Sequence, residues 1–353
     1  MERYPRITAL ASAFPPNHYS QEEILAIVQE RSAGSTHELA RLFAASGVAQ
    51  RQSGVDLASY YSRPRTTAER MATYDAVGYR LGYEALAAAL PGNSATAVTD
   101  LFVVSCTGYS APGLDIMLAR DLGMAPTVRR TCIGHMGCFG ALVGLRQAAA
   151  AMRAYPRHRT FRQATAVLLS VELCSLHFQP TDDLEALTSF ALFGDAAAAL
   201  VLSCATDAAG PEIVEVASMA DFAAADQMSW TITDQGFVMG LSPRVPVTLR
   251  RNARAAVASL LAPHNLHVSD IDHWIIHPGG PSILEAMQRS LELSATQMEL
   301  SWQVLRDHGN CSSATVLLIM EELLRSGQAQ SGEWGVMMAF GPGLTLEMCL
   351  LRL

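Results

Sequence analysis

The sequence predicts an α/β fold whose central strands are covered by helices on both faces. Three observations carry that prediction. Short apolar runs bounded by glycine read as buried strands. They alternate with longer alanine-rich stretches that read as helices. Of the 353 residues, 50% are hydrophobic and only 16% charged, ample for two domains or one large duplicated domain.

In chain order, Gln21–Arg31 and Thr67–Ala89 are helical candidates, and L-F-V-V-S at Leu101–Ser105 is strand-like. Phe139–Tyr155 reads as a helix, followed by strands at Ala166–Ser170 and Ala197–Leu202. Helix Val247–Leu261, strand Trp274–His277 and helices Pro281–Leu291 and Ser313–Ser326 come next. Strands Gly335–Phe340 and Leu344–Leu351 end the chain. One internal echo suggests duplication. Phe193-Gly194-Asp195 leads into an apolar strand, and Phe340-Gly341-Pro342-Gly343 leads into another. Placing the seam near Ala208–Pro211 gives halves 1–210 and 211–353.

A formal net charge of −8, with no long lysine and arginine cluster, argues against a nucleic-acid partner. The apolar run Phe190–Ala205 is interrupted by Gly194 and Asp195 and is too short to span a bilayer. Seven cysteines, an odd number, and no apolar segment behind Met-Glu-Arg-Tyr-Pro-Arg suggest reduced thiols. The expectation is a soluble cytoplasmic protein with no membrane partner.

The chemistry concentrates in T-C-I-G-H-M-G-C-F-G-A-L-V-G-L-R, Thr131–Arg146. Cys132, His135 and Cys138 would give a metal three ligands, one short of a closed zinc site, so no metal is expected. A buried inert thiol is the ordinary reading of any one cysteine. Cys138 departs from it: Gly137 permits a sharp turn and a helix follows at once, so the helix N-terminus should lower its thiol pKa. Cys132, upstream of the turn, reads as core. His277 ends a strand before Pro278-Gly279-Gly280, a place where α/β folds put chemistry, and is a plausible base for Cys138. In His308-Gly309-Asn310-Cys311-Ser312-Ser313-Ala314, Ser312 or Ser313 would cap the next helix. Capping leaves Asn310 unexplained, and its amide can donate to an oxyanion.

In this order, G-C-F-G-A, I-I-H-P-G-G-P and H-G-N-C-S-S-A resemble the chalcone synthase-like type III polyketide synthases. The likeness extends to S-C-T-G-Y-S-A-P-G, A-L-F-G-D-A-A-A-A-L and the F-G-P-G loop holding Gly341 and Pro342. Ketoacyl synthases that begin fatty-acid synthesis also use Cys, His and Asn, but lack the H-P-G-G and G-N-x-S-S-A wording. The resemblance implies a thiolase-like fold of two duplicated halves in an αβαβα core, usually a homodimer, and a condensing acyltransferase. It implies that Cys138 accepts the acyl group while His277 and Asn310 polarise a malonyl thioester for decarboxylation. No metal or redox cofactor is implied.

By the same likeness Phe178 matches an aromatic gatekeeper, Cys106 lines the reaction chamber, and Met239 replaces a second gatekeeper phenylalanine. Ala111-Pro112-Gly113 lacks the side chain that usually crosses the dimer interface. Arg41 keeps one cation of the CoA phosphate grip, but Glu38 and Ala45 replace its partners. The implied partners are an acyl-CoA or acyl-carrier-protein starter and a malonyl-CoA extender, and the product a pyrone or phenolic ring. Two alternatives stand beside this reading. One is a ketosynthase that joins carrier-bound chains to an α-pyrone; the other is an inactive homologue acting as a scaffold subunit.

Overall fold

The computed structural model describes residues 4–31, 36–92, 94–154, 164–179, 184–205 and 207–353. Its strands are β1 Arg6–Ala13, β2 Asn17–Ser20, β3 Gln50–Ser53, β4 Asp100–Ser105, β5 Arg129–Gly134, β6 Thr165–Leu173 and β7 Asp195–Ser203. They continue as β8 Glu212–Ala220, β9 Met228–Thr233, β10 Gly236–Leu241, β11 His273–Ile276, β12 Trp334–Gly341 and β13 Thr345–Arg352. Nine of them hydrogen-bond in the order β11-β12-β13-β8-β1-β7-β6-β4-β5.

That order contains a repeat. Strands β1, β7, β6 and β4 are joined by antiparallel, antiparallel and parallel pairings. Strands β8, β13, β12 and β11 repeat the same series. The two sets meet at the pair Arg6↔Glu212, flanked by 2.8 Å bonds from Ile7 N–H to the Pro211 carbonyl and from Ile213 N–H to the Pro5 carbonyl.

Successive side chains of a strand face opposite ways, and here they enter two different cores. Leu101 and Val103 of β4 join one core, Phe102 and Val104 the other; Val336 and Met338 of β12 part from Met337 and Ala339 in the same way. The second core holds the helices Gly140–Ala154 and Thr315–Ser326, packed against strands of both halves. These two helices are therefore the middle layer. Helix Thr67–Ala89 covers the outer face of the first half, and Val245–Leu261 that of the second. The result is the αβαβα arrangement of a duplicated α/β fold. Small residues permit the close helix approach: a Cβ on Gly144 would lie 2.5 Å from Leu168 Cδ1.

The predicted elements recur with ends shifted by one to a few residues, His277 falling just after β11 rather than within it, and Thr67–Ala89 and Pro281–Leu291 keep their bounds. Capping boxes at Ser20/Glu23 and Thr66/Glu69 set two of the helix starts. The helix expected over Phe139–Tyr155 begins at Gly140, and Tyr155 lies outside the described residues. Strands β1, β5 and β8 and helix Ala295–His308 had no distinct apolar run to announce them. One expectation is overturned here: Cys132 is not core but exposed. Strand β5 ends the sheet with β4 as its single neighbour, and most of its residues, R-R-T-C-I-G, are solvent-facing. Among the described residues no helix is long and apolar enough to cross a membrane.

Candidate active site

Between β5 and helix Gly140–Ala154 the chain turns through His135 and Gly137, with φ of 60° and 81°. Gly137 cannot be replaced cheaply, because a Cβ there would also meet Pro342 Cδ at 2.3 Å. Gly341 is similarly tight, its missing Cβ lying 2.6 Å from Phe139 Cδ1 and 3.3 Å from the Cys138 nitrogen. The β12–β13 connection of the second half thus clamps the turn that carries Cys138. Cys106 clamps it from the first half. Its Sγ accepts from Gly137 N–H at 2.9 Å and donates to the Gly137 carbonyl at 3.3 Å.

His277 follows β11, and its N–H donates to the Met338 carbonyl at 2.8 Å. The side chain is 1% exposed, yet neither Nδ1 nor Nε2 has a hydrogen-bond partner. Two orphaned nitrogens on a buried imidazole mark a group built for a ligand. Asn310 is pinned to the first half: its N–H donates to the Leu192 carbonyl at 2.8 Å, and its carbonyl accepts from Gly194 N–H at 3.0 Å. Its side-chain Oδ1 accepts from Ser312 N–H at 2.9 Å. That tie leaves the amide N–H groups for the site, and the Asn310 and Ser312 side chains both hydrogen-bond Cys138.

Burial pushes the Cys138 thiol up to about 12, against the downward pull of Ser312 and Asn310. The lowered thiol expected from the helix N-terminus is therefore not the net result, because desolvation of a fully buried sulfur outweighs it. Burial likewise holds His277 down at about 3. A lone charge on either side chain is disfavoured. Both side chains therefore rest neutral, and neither His277 ring nitrogen is hydrogen-bonded to Cys138.

Cys138, His277 and Asn310 line one cavity of about 810 Å³, with Met239 and Phe340. Its far end is lined by exposed Ala45 and Pro243, so it opens to the surface. Cys138 also lines a second cavity of about 250 Å³ with Cys106, Phe178, Met239 and Pro342. Cys138 sits where the two cavities meet. Arg41 and Glu38 are exposed on helix Thr36–Ala44; its Leu42 and the following Ala45 line the entrance, and Arg41 is not itself a lining residue. Among the described residues no three His, Cys, Asp or Glu side chains gather as metal ligands.

Several functional neighbours escaped the sequence reading. Ser312 takes a left-handed φ of 48° beside Cys138 rather than capping a helix, and helix Thr315–Ser326 has no side-chain cap. Glu172 is fully buried and accepts from Cys106 N–H at 3.0 Å, Thr107 Oγ1 at 2.8 Å and Ser313 Oγ. Burial raises its carboxyl, and these donors hold it in place. A glutamate inside the apolar run A-V-L-L-S-V-E-L was the available signal, since a buried carboxylate needs partners. The β9–β10 hairpin roofs the chamber. Trp230 Nε1–H donates to the Cys106 carbonyl at 2.7 Å, and His177 stacks on Phe237 with ring centroids 4.2 Å apart. His177 Nδ1 accepts from Phe237 N–H, so its Nε2–H donates to the Thr107 carbonyl.

Comparison with known proteins identifies the family of the chain. Models of the chalcone and stilbene synthases match the chain twice, the N-terminal domain over residues 7–206 and the C-terminal domain over residues 217–353. A 1,3,6,8-tetrahydroxynaphthalene synthase of Streptomyces peucetius subsp. caesius is 34% identical over 100% of this chain and 94% of its own length. An alpha-pyrone synthesis polyketide synthase-like protein, Pks18, of Mycobacterium tuberculosis is 29% identical over 97% of this chain and 89% of its own. The crystal structure of PKS-I from the brown alga Ectocarpus siliculosus superposes with a TM-score of 0.92 at 27% identity, covering 100% of this chain and 99% of that one.

Proposed function

Since the chain belongs to the chalcone and stilbene synthase family and is a type III polyketide synthase-like condensing acyltransferase, we propose that Cys138, His277 and Asn310 carry its reaction. The observation behind this assignment is one cavity lined by all three, with both His277 ring nitrogens unpartnered.

An acyl thioester starter enters past Ala45 and Pro243. His277 takes the Cys138 proton, and sulfur attacks the thioester carbonyl; the carrier thiol leaves with that proton. A malonyl thioester then follows. Its carbonyl oxygen accepts from the Asn310 amide and from a His277 N–H. Loss of carbon dioxide leaves its electron pair in an enolate held by those donors. The enolate carbon attacks the Cys138 thioester, the carbon–sulfur bond breaks, and the thiolate is restored. Repetition and ring closure give a pyrone or phenolic product. Two copies of the chain form a homodimer, supported by the unpaired, exposed edge of β5.

One observation favours a second mode of delivery. Glu38 is exposed on the entrance helix and Ala45 lines the entrance, so the phosphates of free CoA find few cations there. A carrier-protein-borne starter suits such an entrance. Intact-protein mass after brief exposure to a starter tests the main reading: an acyl adduct on wild-type protein, absent from Cys138→Ala, supports it. Failure to form the adduct, or adducts without carbon dioxide release from malonyl-CoA, would overturn it. Acylation rates for one acyl chain on CoA and on a carrier protein decide the delivery mode; an equal or faster rate from CoA sinks the second reading.

A further inference from the structure

The solvent face of helix Val245–Leu261 takes no part in the condensation, and its charge is one-sided. The helix holds Arg250, Arg251 and Arg254 and no lysine, aspartate or glutamate, and Arg244 precedes it at the N-cap position. At about 3.6 residues per turn these four arginines and Val247 share one stripe, and all of them are exposed. From Arg244 to Arg254 the stripe runs about 15 Å along the helix axis. Arg251 and Arg254 pair with Asp221 and Glu292 at 3.0 and 2.6 Å, but with the arginine side chains 69% and 52% exposed such pairs contribute little. Among the described residues Arg244 and Arg250 form no ion pair.

Arg244, Val247 and Arg251 border a surface cleft of about 490 Å³, and the turn Phe222–Gln227 forms its other side. That turn is fastened to the helix. Arg251 and Asn252 donate to Asp221 Oδ2 at 3.0 and 2.7 Å, and Thr248 Oγ1 donates to Gln227 Oε1 at 3.0 Å. The turn presents Phe222, 87% exposed and the most exposed large hydrophobic side chain among the described residues. Asp226, exposed on the same turn, offsets one charge of the stripe. Pro243 lines both this cleft and the entrance to Cys138, and Val245 and Pro246 of the first helical turn line the entrance too.

We infer that the arginine stripe of helix Val245–Leu261, with Phe222 and Val247, is the docking surface for an acidic acyl-carrier protein. The inference rests on the carrier-borne delivery described above and places it on this rim of the entrance rather than at Arg41. A row of cations about 15 Å long exceeds what one phosphate group needs and matches a protein helix that carries several carboxylates. Phe222 and Val247 supply apolar contacts that a free nucleotide would leave in water. The chain as a whole carries a net charge of −8 and repels an acidic partner, so a cationic stripe beside the entrance also orients the encounter. A carrier seated there holds its thioester arm at the mouth lined by Val245 and Pro246.

The test is the second-order rate of Cys138 acylation by a hexanoyl chain, carried on CoA or on an acidic fatty-acid acyl-carrier protein and read by intact mass. Wild-type protein is compared with the double variant Arg244→Glu/Arg250→Glu and with Phe222→Ala. At low salt the double variant should lose tenfold or more in transfer from the carrier and keep the wild-type rate from CoA. Added salt should slow the wild-type carrier reaction toward that of the double variant. Phe222→Ala should slow the carrier reaction several-fold at every salt concentration, since its ring contributes no charge. An equal loss on CoA would show that these arginines hold nucleotide phosphates and overturns the docking surface. Unchanged transfer from the carrier in the double variant overturns it as well, while leaving carrier delivery intact. An equal or faster wild-type rate from CoA sinks carrier delivery and this surface with it, and the condensing function stands. Should circular dichroism show the double variant misfolded, Arg244→Gln/Arg250→Gln carries the same expectation at smaller amplitude. Absence of an adduct from both donors on wild-type protein sinks the condensing function too.

Discussion

The two central helices begin at equivalent places in the two halves of the fold, and the chain has used those places differently. Helix Gly140–Ala154 is preceded by Cys138 on a turn made possible by Gly137. Helix Thr315–Ser326 is preceded by Asn310 and by Ser312 in a left-handed conformation. The first start presents one sulfur, clamped by Cys106, Gly341 and Pro342. The second presents hydrogen-bond donors, with the Asn310 oxygen looped back on its own backbone so that the nitrogen faces outward. Duplication thus brings two helix starts to one cavity. In the proposed reaction one start supplies the nucleophile and the other the donors that steady charge.

The largest effect should separate the two starts outright. Cys138→Ala should abolish acylation and product formation, while Cys132→Ala, on exposed β5, should keep both. An adduct surviving in Cys138→Ala and lost in Cys132→Ala would move the nucleophile to the wrong strand and break the comparison.

Next comes Asn310→Ala. Removing one oxyanion donor costs about 10²–10³ in rate. The loss should fall on malonyl-CoA decarboxylation, with starter loading on Cys138 retained. Wild-type carbon dioxide release would take Asn310 out of the chemistry.

Ser312→Ala sharpens the division further. The Ser312 side chain hydrogen-bonds Cys138, and a bond to a charged partner contributes about 1.5–3 kcal/mol. The thiolate should become about tenfold scarcer or more at fixed pH, seen as slower iodoacetamide alkylation. Unchanged alkylation would show that the bond serves the neutral thiol alone.

The smallest effect concerns stability. His277 and His177 are buried and neutral, held near about 3 and about 4, below the value of about 6.5 that an unfolded chain shows. Between pH 6.5 and 4 the unfolded chain binds protons that the folded one refuses. Stability is therefore full above about pH 6.5 and falls toward acid by up to ~1.4 kcal/mol per pH unit for each histidine. His277→Gln removes one of these contributions, so in urea titrations wild-type stability should fall faster than the variant's as pH drops. Parallel curves would mean that folded His277 charges as readily as an unfolded one.

The sequence by itself determined the α/β class, the duplicated thiolase-like architecture and the identity of Cys138, His277 and Asn310 as the residues to test. It did so because buried strands and central helices must be apolar throughout, and because the site's glycine turns keep a distinctive local wording. Tertiary structure decided what depends on neighbours distant in the chain. Cys132 read as core because it lies upstream of the turn and its helix, but β5 is an edge strand of the sheet and Cys132 is exposed on it. The thiol of Cys138 read as lowered by its helix, whereas burial beneath groups from the other half raises it. Ser312 read as a cap because capping is local; its bond to Cys138, 174 positions away in the numbering, is not. Local wording fixes backbone conformation, but desolvation and hydrogen bonding are set by whatever the fold brings alongside, and no single segment contains that information.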